Sequence, residues 1–118
     1  MNYKELEVWK VSRNLVKQIY SITNNFPKME VYGLISQIRR CSISIPSNIA
    51  EGCGRRSSKD TLQFLFIARG SLYELETQLY LSLDLEYLNN QEFEKTIDSL
   101  IYCRKLLNGF INYYKTKC

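Results

Sequence analysis

Residues 61–87 read TLQFLFIARGSLYELETQLYLSLDLEY. Leucine and aromatic side chains return here at steps of three and four residues, the spacing that places side chains on one side of an α-helix. Ser57 or Ser58 before this stretch is suited to cap a first turn, and Asp60 suits the positive end of the helix dipole. We therefore predict one helix that ends near Tyr87, about 28 residues long, a length typical of helical bundles. Gly70 in its interior is expected to mark a close approach between two helices.

Three further segments carry the same apolar periodicity. They run from about Glu5 to Asn24, from about Val31 to Cys53, and from about Gln91 to Lys115. Residues 24–27 (NNFP) end the first of them, because proline cannot continue the hydrogen-bond ladder. Residues 89–90 (NN) form the turn before the last. Each segment has one apolar side to bury, which predicts helices that pack against one another.

Pro46 interrupts the second segment. A proline inside a helix removes one backbone donor and crowds the carbonyl four residues earlier, at a cost of ~3 kcal/mol. The helix therefore either stops near Ile45 or kinks and continues. The apolar phase carries over from Ile45 to Ile49 and Cys53, which favours a helix that is kinked at Pro46 and continues.

The fold class follows from these four segments. A chain of 118 residues suits a single domain. No segment alternates apolar and polar residues at period two, so no sheet is predicted. We predict an all-α, antiparallel up-and-down four-helix bundle that spans residues 1–118 as one domain.

Composition excludes several classes of function. The chain has no histidine, which removes histidine bases, triads and metal ligands. Its four cysteines form no Cys-x-x-Cys pair, and no apolar run reaches the ~18–20 residues of a membrane helix. The polar start shows no signal peptide. We expect a reduced, cytoplasmic protein with no membrane contact, no cofactor and no enzymatic activity.

Positive charge concentrates in the middle of the chain. The net charge is +4, and residues 31–69 carry six Lys and Arg against two Asp and Glu. One interpretation is a solvated face with salt bridges, which the modest net charge favours. The other is a patch for an anionic partner. The candidate nucleic-acid contacts are Arg39, Arg40, Arg55, Arg56 and Lys59.

The glycine-rich residues 52–58 (GCGRRSS) precede a predicted helix start. Free amides there are able to hold a phosphate with help from the two arginines, although the spacing is not that of a P-loop. A plain turn with a capped helix is the simpler interpretation.

Three acids lie within apolar or small-residue blocks: Glu51, Glu74 and Glu76. A buried carboxylate suggests a metal or acid–base role, but the di-metal bundle pattern needs Glu-x-x-His. Structural ion pairs are therefore favoured. The candidate partners are Arg39, Arg40 and Arg69.

The remaining side chains of interest are interpreted as packing residues. Cys41 and Cys103 fall on or beside apolar stripes as small core residues, and Cys118 is expected to be exposed. Aromatic side chains at stripe edges are expected in the core or in a subunit interface rather than under stacked bases. These are Trp9, Tyr20, Tyr73, Tyr80 and Tyr114.

Several blocks of sequence resemble a known family. They include Val8-Trp9-Lys10, residues 44–52 (SIPSNIAEG) and residues 70–79 (GSLYELETQL). Over roughly residues 5–90 the chain resembles the small bacterial four-helix bundle proteins encoded by intervening sequences within 23S rRNA genes. That family is similar to the accessory variability proteins of diversity-generating retroelements.

The resemblance implies a left-handed four-helix bundle that assembles into a homo-oligomer, a ring of five. The retroelement proteins bind nucleic acid and a reverse transcriptase through a strongly basic surface, whereas this chain is only mildly basic. We expect a binding or scaffold module that contacts itself, RNA or DNA, and a nucleic-acid-processing protein. The alternative is a purely structural or protein-interaction oligomer with no nucleic-acid role.

Overall fold

Four α-helices account for most of the chain. The computed structural model describes residues 2–118, with α1 at Glu7–Thr23, α2 at Leu34–Cys53, α3 at Ser58–Asp84 and α4 at Asn90–Lys115. Short 3₁₀ turns at Tyr3–Glu5 and Lys28–Glu30 precede α1 and α2. No strand occurs in residues 2–118, which confirms the predicted all-α class.

The helices form a four-sided bundle of 45 × 25 × 21 Å. Each helix packs against its neighbours in chain order and α1 also packs against α4, whereas no Cα atoms of diagonally opposite helices lie within 8 Å of each other in residues 2–118. Contacts such as Thr61 with Gly52 and Ser71 with Ser44 show that α2 and α3 run in opposite directions. The predicted up-and-down bundle is confirmed.

Side-chain caps set two of the helix starts. Ser57 caps α3, since its hydroxyl accepts a hydrogen bond from the Asp60 N–H at 3.1 Å. Asn89 and Glu92 form a reciprocal capping box at the start of α4. At the other end of α3, the chain leaves the helix after Asp84, earlier than the predicted Tyr87, and Glu86 takes a left-handed φ of 62°.

Helix α2 passes through Pro46 without a break. Ile45 and Ile49 on either side of it are both fully buried, so the predicted continuation is confirmed. Beside the proline, the Asn48 side-chain amide donates to the Ser44 carbonyl at 2.8 Å. The Ser44 hydroxyl lies 2.9 Å from that of Ser71 on α3.

The core consists of leucine and isoleucine from all four helices. Cys41 and Cys103 are buried among them, as predicted, and Cys118 is exposed. Burial raises the pKa of both buried thiols to about 12, so neither forms a reactive thiolate at neutral pH. The largest fully buried side chains are Leu15, Ile19, Ile38, Ile45, Ile49, Leu65, Leu72, Leu75, Leu79, Leu100, Leu107 and Ile111.

Close approach between helices occurs at Gly52 rather than at Gly70. A Cβ at Gly52 would lie 3.1 Å from the Phe64 Cβ and 3.2 Å from the Thr61 carbonyl oxygen on α3. A Cβ at Gly70 would meet no atom of another helix of residues 2–118 within 4 Å. The prediction for Gly70 is therefore wrong within one chain, because this residue lies on the outward side of α3.

Two of the predicted aromatic packing residues, Trp9 and Tyr114, pack against the core. Tyr20, Tyr73 and Tyr80 are instead about one-third to one-half exposed. Two of these three, Tyr20 and Tyr73, carry an arginine guanidinium on the ring face.

Within residues 2–118, none of the helices combines the length and the apolar character that a membrane-spanning segment requires.

Glu30 connects the two loops at one end of the bundle. Its carboxylate accepts hydrogen bonds from the Tyr87 hydroxyl at 2.7 Å and from the Leu34 N–H at 3.1 Å. These bonds lower the pKa of Glu30, the Tyr87 bond being the stronger cause. The same bond raises the pKa of the Tyr87 hydroxyl. Glu30 thus starts α2 at Leu34, later than the predicted Val31.

This geometry predicts a pH-dependent contribution to stability from Glu30. A carboxyl whose folded pKa is depressed stabilises the fold above its unfolded pKa, and that contribution is lost as the pH falls through the folded value. The difference in urea midpoint between the native chain and Glu30→Gln should therefore shrink from pH 6 to pH 3. Tyr87→Phe removes only one of the two hydrogen-bond donors to Glu30. The difference in urea midpoint between the native chain and this variant should therefore also shrink from pH 6 to pH 3, but by less than for Glu30→Gln. A difference independent of pH would contradict this role.

Candidate nucleic-acid interface

The five cations predicted to contact nucleic acid do not form one surface. Arg39 and Arg40 lie in the second turn of α2, whereas Arg55, Arg56 and Lys59 lie where α2 ends and α3 begins. Sixteen residues at ~1.5 Å rise per residue separate Arg39 from Arg55 by roughly 24 Å. The two groups therefore lie at opposite ends of the bundle.

Arg39 is engaged inside the protein. Its Nε donates to the Thr23 hydroxyl at 2.9 Å and its Nη2 to the Asn24 side-chain oxygen at 3.1 Å. The guanidinium also lies 4.5 Å from the centre of the Tyr20 ring. Arg39 thus links the end of α1 to α2, and two of its N–H groups donate to the protein rather than to a ligand.

Arg40 is exposed and lines a groove of about 550 Å³ between α2 and α3. The serine pair Ser44 and Ser71 lies in this groove, and the Cys41 thiol donates to the Ser71 carbonyl at 3.1 Å. Glu74 lines the same groove. Because the Glu74 carboxylate and the Arg40 guanidinium both line this groove, the groove is not a uniformly positive site.

Arg55, Arg56 and Lys59 are all exposed at the α2–α3 turn. The Arg55 guanidinium lies 4.4 Å from the centre of the Phe64 ring, which restricts its motion. None of the three cations forms an ion pair with another side chain of residues 2–118. We call these three residues the turn cations; they are the members of the predicted set that lie together at one turn and remain available to an anion.

The predicted ion pairs are only partly present. Glu76 is paired, but its partner is Arg104 of α4 at 3.0 Å, and this is the one salt bridge of residues 2–118. Arg69 instead donates to the Asn108 side-chain oxygen at 3.1 Å. Pairing with Arg39, Arg40 or Arg69 was therefore the wrong assignment.

The other two acids have no cationic partner among residues 2–118. Glu51 is exposed, and Glu74 is exposed with the Gln78 amide at 3.5 Å. Within the described chain, no three Cys, Asp or Glu side chains are grouped closely enough to bind a metal ion.

A second group of cations lies on α1. Counting charged residues by segment of sequence did not reveal it. Lys10, Arg13 and Lys17 are exposed along one side of this helix and line a shallow groove of about 310 Å³. The Arg13 guanidinium lies 4.7 Å from the centre of the Trp9 ring. We call these three residues the α1 cations. Their spacing of three and four residues is the signal that would have found them.

No acid of residues 2–118 forms a salt bridge with the α1 cations. The sequence contains no Asp or Glu between Glu7 and Glu30, and no side chain of residues 2–118 forms a salt bridge with the three. Their Cα atoms span roughly 10 Å along the helix at ~1.5 Å per residue. The stripe therefore presents three positive groups in a row to solvent.

Comparison with known families confirms the resemblance seen in the sequence. Residues 4–109 match the model of the 23S rRNA-intervening sequence protein family. The chain belongs to this family. The matched region includes both the turn cations and the α1 cations. No curated protein matches the chain in sequence.

A solved structure shares the fold. It is the crystal structure of a protein of unknown function from Bacteroides thetaiotaomicron, described as a member of the S23 ribosomal protein family. The two chains are 25% identical, with a TM-score of 0.82 over 89% of this chain and 95% of that one. Neither description attributes an enzymatic activity to its proteins.

Proposed function

We propose that this member of the family is a self-assembling binding module, not an enzyme, and that it contacts the phosphate backbone of RNA. One observation carries the RNA contact: the turn cations and the α1 cations are exposed, and none of them forms a salt bridge with a side chain of residues 2–118. The solved structure that shares the fold is described as a member of a ribosomal protein family, which favours RNA over DNA as the nucleic acid.

Unpaired cations suit this role for a physical reason. A cation that neutralises a phosphate releases condensed counterions, which is favourable and independent of base sequence. Arg55 and Arg13 are each stacked on an aromatic ring, so less side-chain entropy is lost when they bind. Six such contacts at most give weak, salt-sensitive binding, which fits a net charge of only +4.

The self-assembly part of the proposal depends on the outward side of α3. Ile67 and Leu81 there are each about half exposed. Gly70 lies on the same side, where its missing side chain relieves no contact within residues 2–118. A glycine in an isolated helix costs ~1 kcal/mol relative to alanine, so a second copy that approaches closely would account for it. The sequence resemblance implies five copies.

The RNA contact predicts a specific change in salt dependence. Arg55→Ala/Arg56→Ala/Lys59→Ala should weaken binding of a fluorescent single-stranded RNA by about 10–100-fold at low salt. Three lost phosphate contacts at ~0.7 each should also reduce the slope of log K against log[KCl] by about 2. Fluorescence anisotropy at several KCl concentrations measures both quantities.

The matched control is Lys95→Ala/Lys105→Ala/Lys117→Ala, which removes the same charge from exposed residues elsewhere. This variant should retain most of the affinity and the native slope. Equal losses in the two triple variants would show that only net charge matters. A native chain that does not bind RNA would overturn the RNA contact altogether.

A further inference from the structure

A groove with an apolar rim lies at the corner between α1 and α2, near the start of α2. Two adjoining cavities of about 360 Å³ each share Val31, Ile35 and Arg39 as lining residues. Tyr20, Val31 and Ile43 also line the groove and are 36%, 50% and 42% exposed. We call this feature the corner groove. It leaves apolar area in water that nothing in residues 2–118 covers.

The charge of the corner groove is positive. Lys28, Arg39 and Arg40 line it, and no acid does. Arg39 already donates to α1, but Lys28 and Arg40 are exposed and form no salt bridge within residues 2–118. The neighbouring acids are Glu30, which is held by Tyr87 and Leu34, and Glu74 in the adjacent groove. A matching partner would therefore present apolar side chains flanked by carboxylates.

The last turn of α3 and the two residues that follow it have these properties. Leu81 and Leu85 are 47% and 53% exposed and lie about one helical turn apart. Asp84 and Glu86 flank them, are exposed, and form no salt bridge within the described chain. We call these four residues the acidic end of α3.

The topology places the two surfaces at the same level. Since α2 and α3 are antiparallel neighbours, the start of α2 and the end of α3 lie at one end of the bundle. The corner groove and the acidic end of α3 lie on different sides of that end. Rotation of a copy about an axis parallel to the bundle would therefore bring one surface against the other. A contact between two different surfaces of the same chain is heterologous, and its repetition gives a ring where the rotation closes and an open filament where it does not.

We propose that the corner groove of one copy binds the acidic end of α3 of the next copy. Leu81 and Leu85 fill the apolar part of the groove, and Asp84 and Glu86 face Lys28 and Arg40. This rests on the self-assembly in the proposed function and assigns it to two named surfaces.

Charge reversal tests the contact, with molar mass read by light scattering after size-exclusion chromatography. Lys28→Glu/Arg40→Glu makes both surfaces negative, and Asp84→Lys/Glu86→Lys makes both positive. Each double variant should associate at least about tenfold more weakly than the native chain, because like charges then meet across the contact. The quadruple variant exchanges the two signs and should regain the native mass. A mixture of the two double variants should also associate.

Controls separate the possible failures. Lys95→Glu/Lys105→Glu reverses the same amount of charge on α4 and should leave the mass unchanged. Circular dichroism melts show whether each variant is folded. Lys28→Ala/Arg40→Ala removes the two positive charges without reversing them, so it is a milder form of Lys28→Glu/Arg40→Glu. A native chain that is monomeric at 100 µM would overturn both self-assembly and this contact. Native assembly that the folded double variants retain, or that the folded quadruple variant does not restore, would overturn the contact alone.

Discussion

Gly52→Val is expected to lower the free energy of unfolding by about 2–3 kcal/mol. The new Cβ would lie 3.1 Å from the Phe64 Cβ and 3.2 Å from the Thr61 carbonyl oxygen. One of these atoms belongs to the backbone of α3, so the helices must separate to make room. That movement would also stretch the 2.8 Å hydrogen bond from the Thr61 hydroxyl to the Gly52 carbonyl. Urea unfolding followed by circular dichroism measures the loss.

Gly70→Ala is the matched control for this prediction. Both glycines belong to long helices, Gly52 as the last residue but one of α2 and Gly70 in the middle of α3, but a Cβ at Gly70 meets no atom of another helix of residues 2–118 within 4 Å. At concentrations where the chain is monomeric, this variant should be more stable by up to about 1 kcal/mol, since alanine is the better helix former. Gly52→Val with native stability would mean that α2 and α3 are not packed as closely as the structure shows.

The helices could be predicted from sequence because their burial is periodic. Leu65, Leu72 and Leu79 recur every seven residues in the printed sequence, and each of them is fully buried. A residue on such a stripe is buried whichever helix covers it, so the pattern alone suffices. For the same reason α2 could be predicted to continue past Pro46, because the apolar stripe keeps its phase from Ile45 to Ile49.

The helix ends were less predictable because distant residues set them. Helix α2 begins at Leu34 because the Glu30 carboxylate caps it, and that carboxylate is held by Tyr87 from the loop after α3. The contact joins residues 57 positions apart. No window of sequence around Val31 contains this information.

The candidate site was predicted only in part because a segment of sequence is not a surface. Residues 31–69 are rich in cations, but Arg39 donates to Thr23, the last residue of α1, and to Asn24, which follows it. Counting by helix face rather than by segment would have found Lys10, Arg13 and Lys17. The sequence likewise indicated that Glu76 needs a cation, but the choice between Arg69 and Arg104 depends on how α3 and α4 are registered.

Pro46→Ala is expected to raise the free energy of unfolding by about 2 kcal/mol. A proline inside a helix costs ~3 kcal/mol, because it lacks the N–H that would bind the carbonyl of Ser42 and its ring crowds that carbonyl. Helix α2 is already continuous on both sides of it, so alanine needs no new backbone conformation. The gain is reduced by ~0.4–1 kcal/mol, because the unfolded chain is freer without proline. Urea unfolding again gives the difference.

Ser47→Ala is the control for Pro46→Ala, since Ser47 is the next residue of α2 and is exposed. It should change stability by no more than about 0.5 kcal/mol. A Pro46→Ala chain that is less stable than the native one would show that the bundle depends on the shape that proline gives α2. On the N-terminal side of Pro46, Ser44 of α2 contacts Ser71 on α3, and Ile43 and Arg40 line the corner groove. A variant that gains stability but loses assembly would place the role of Pro46 in the contact between copies rather than in the fold.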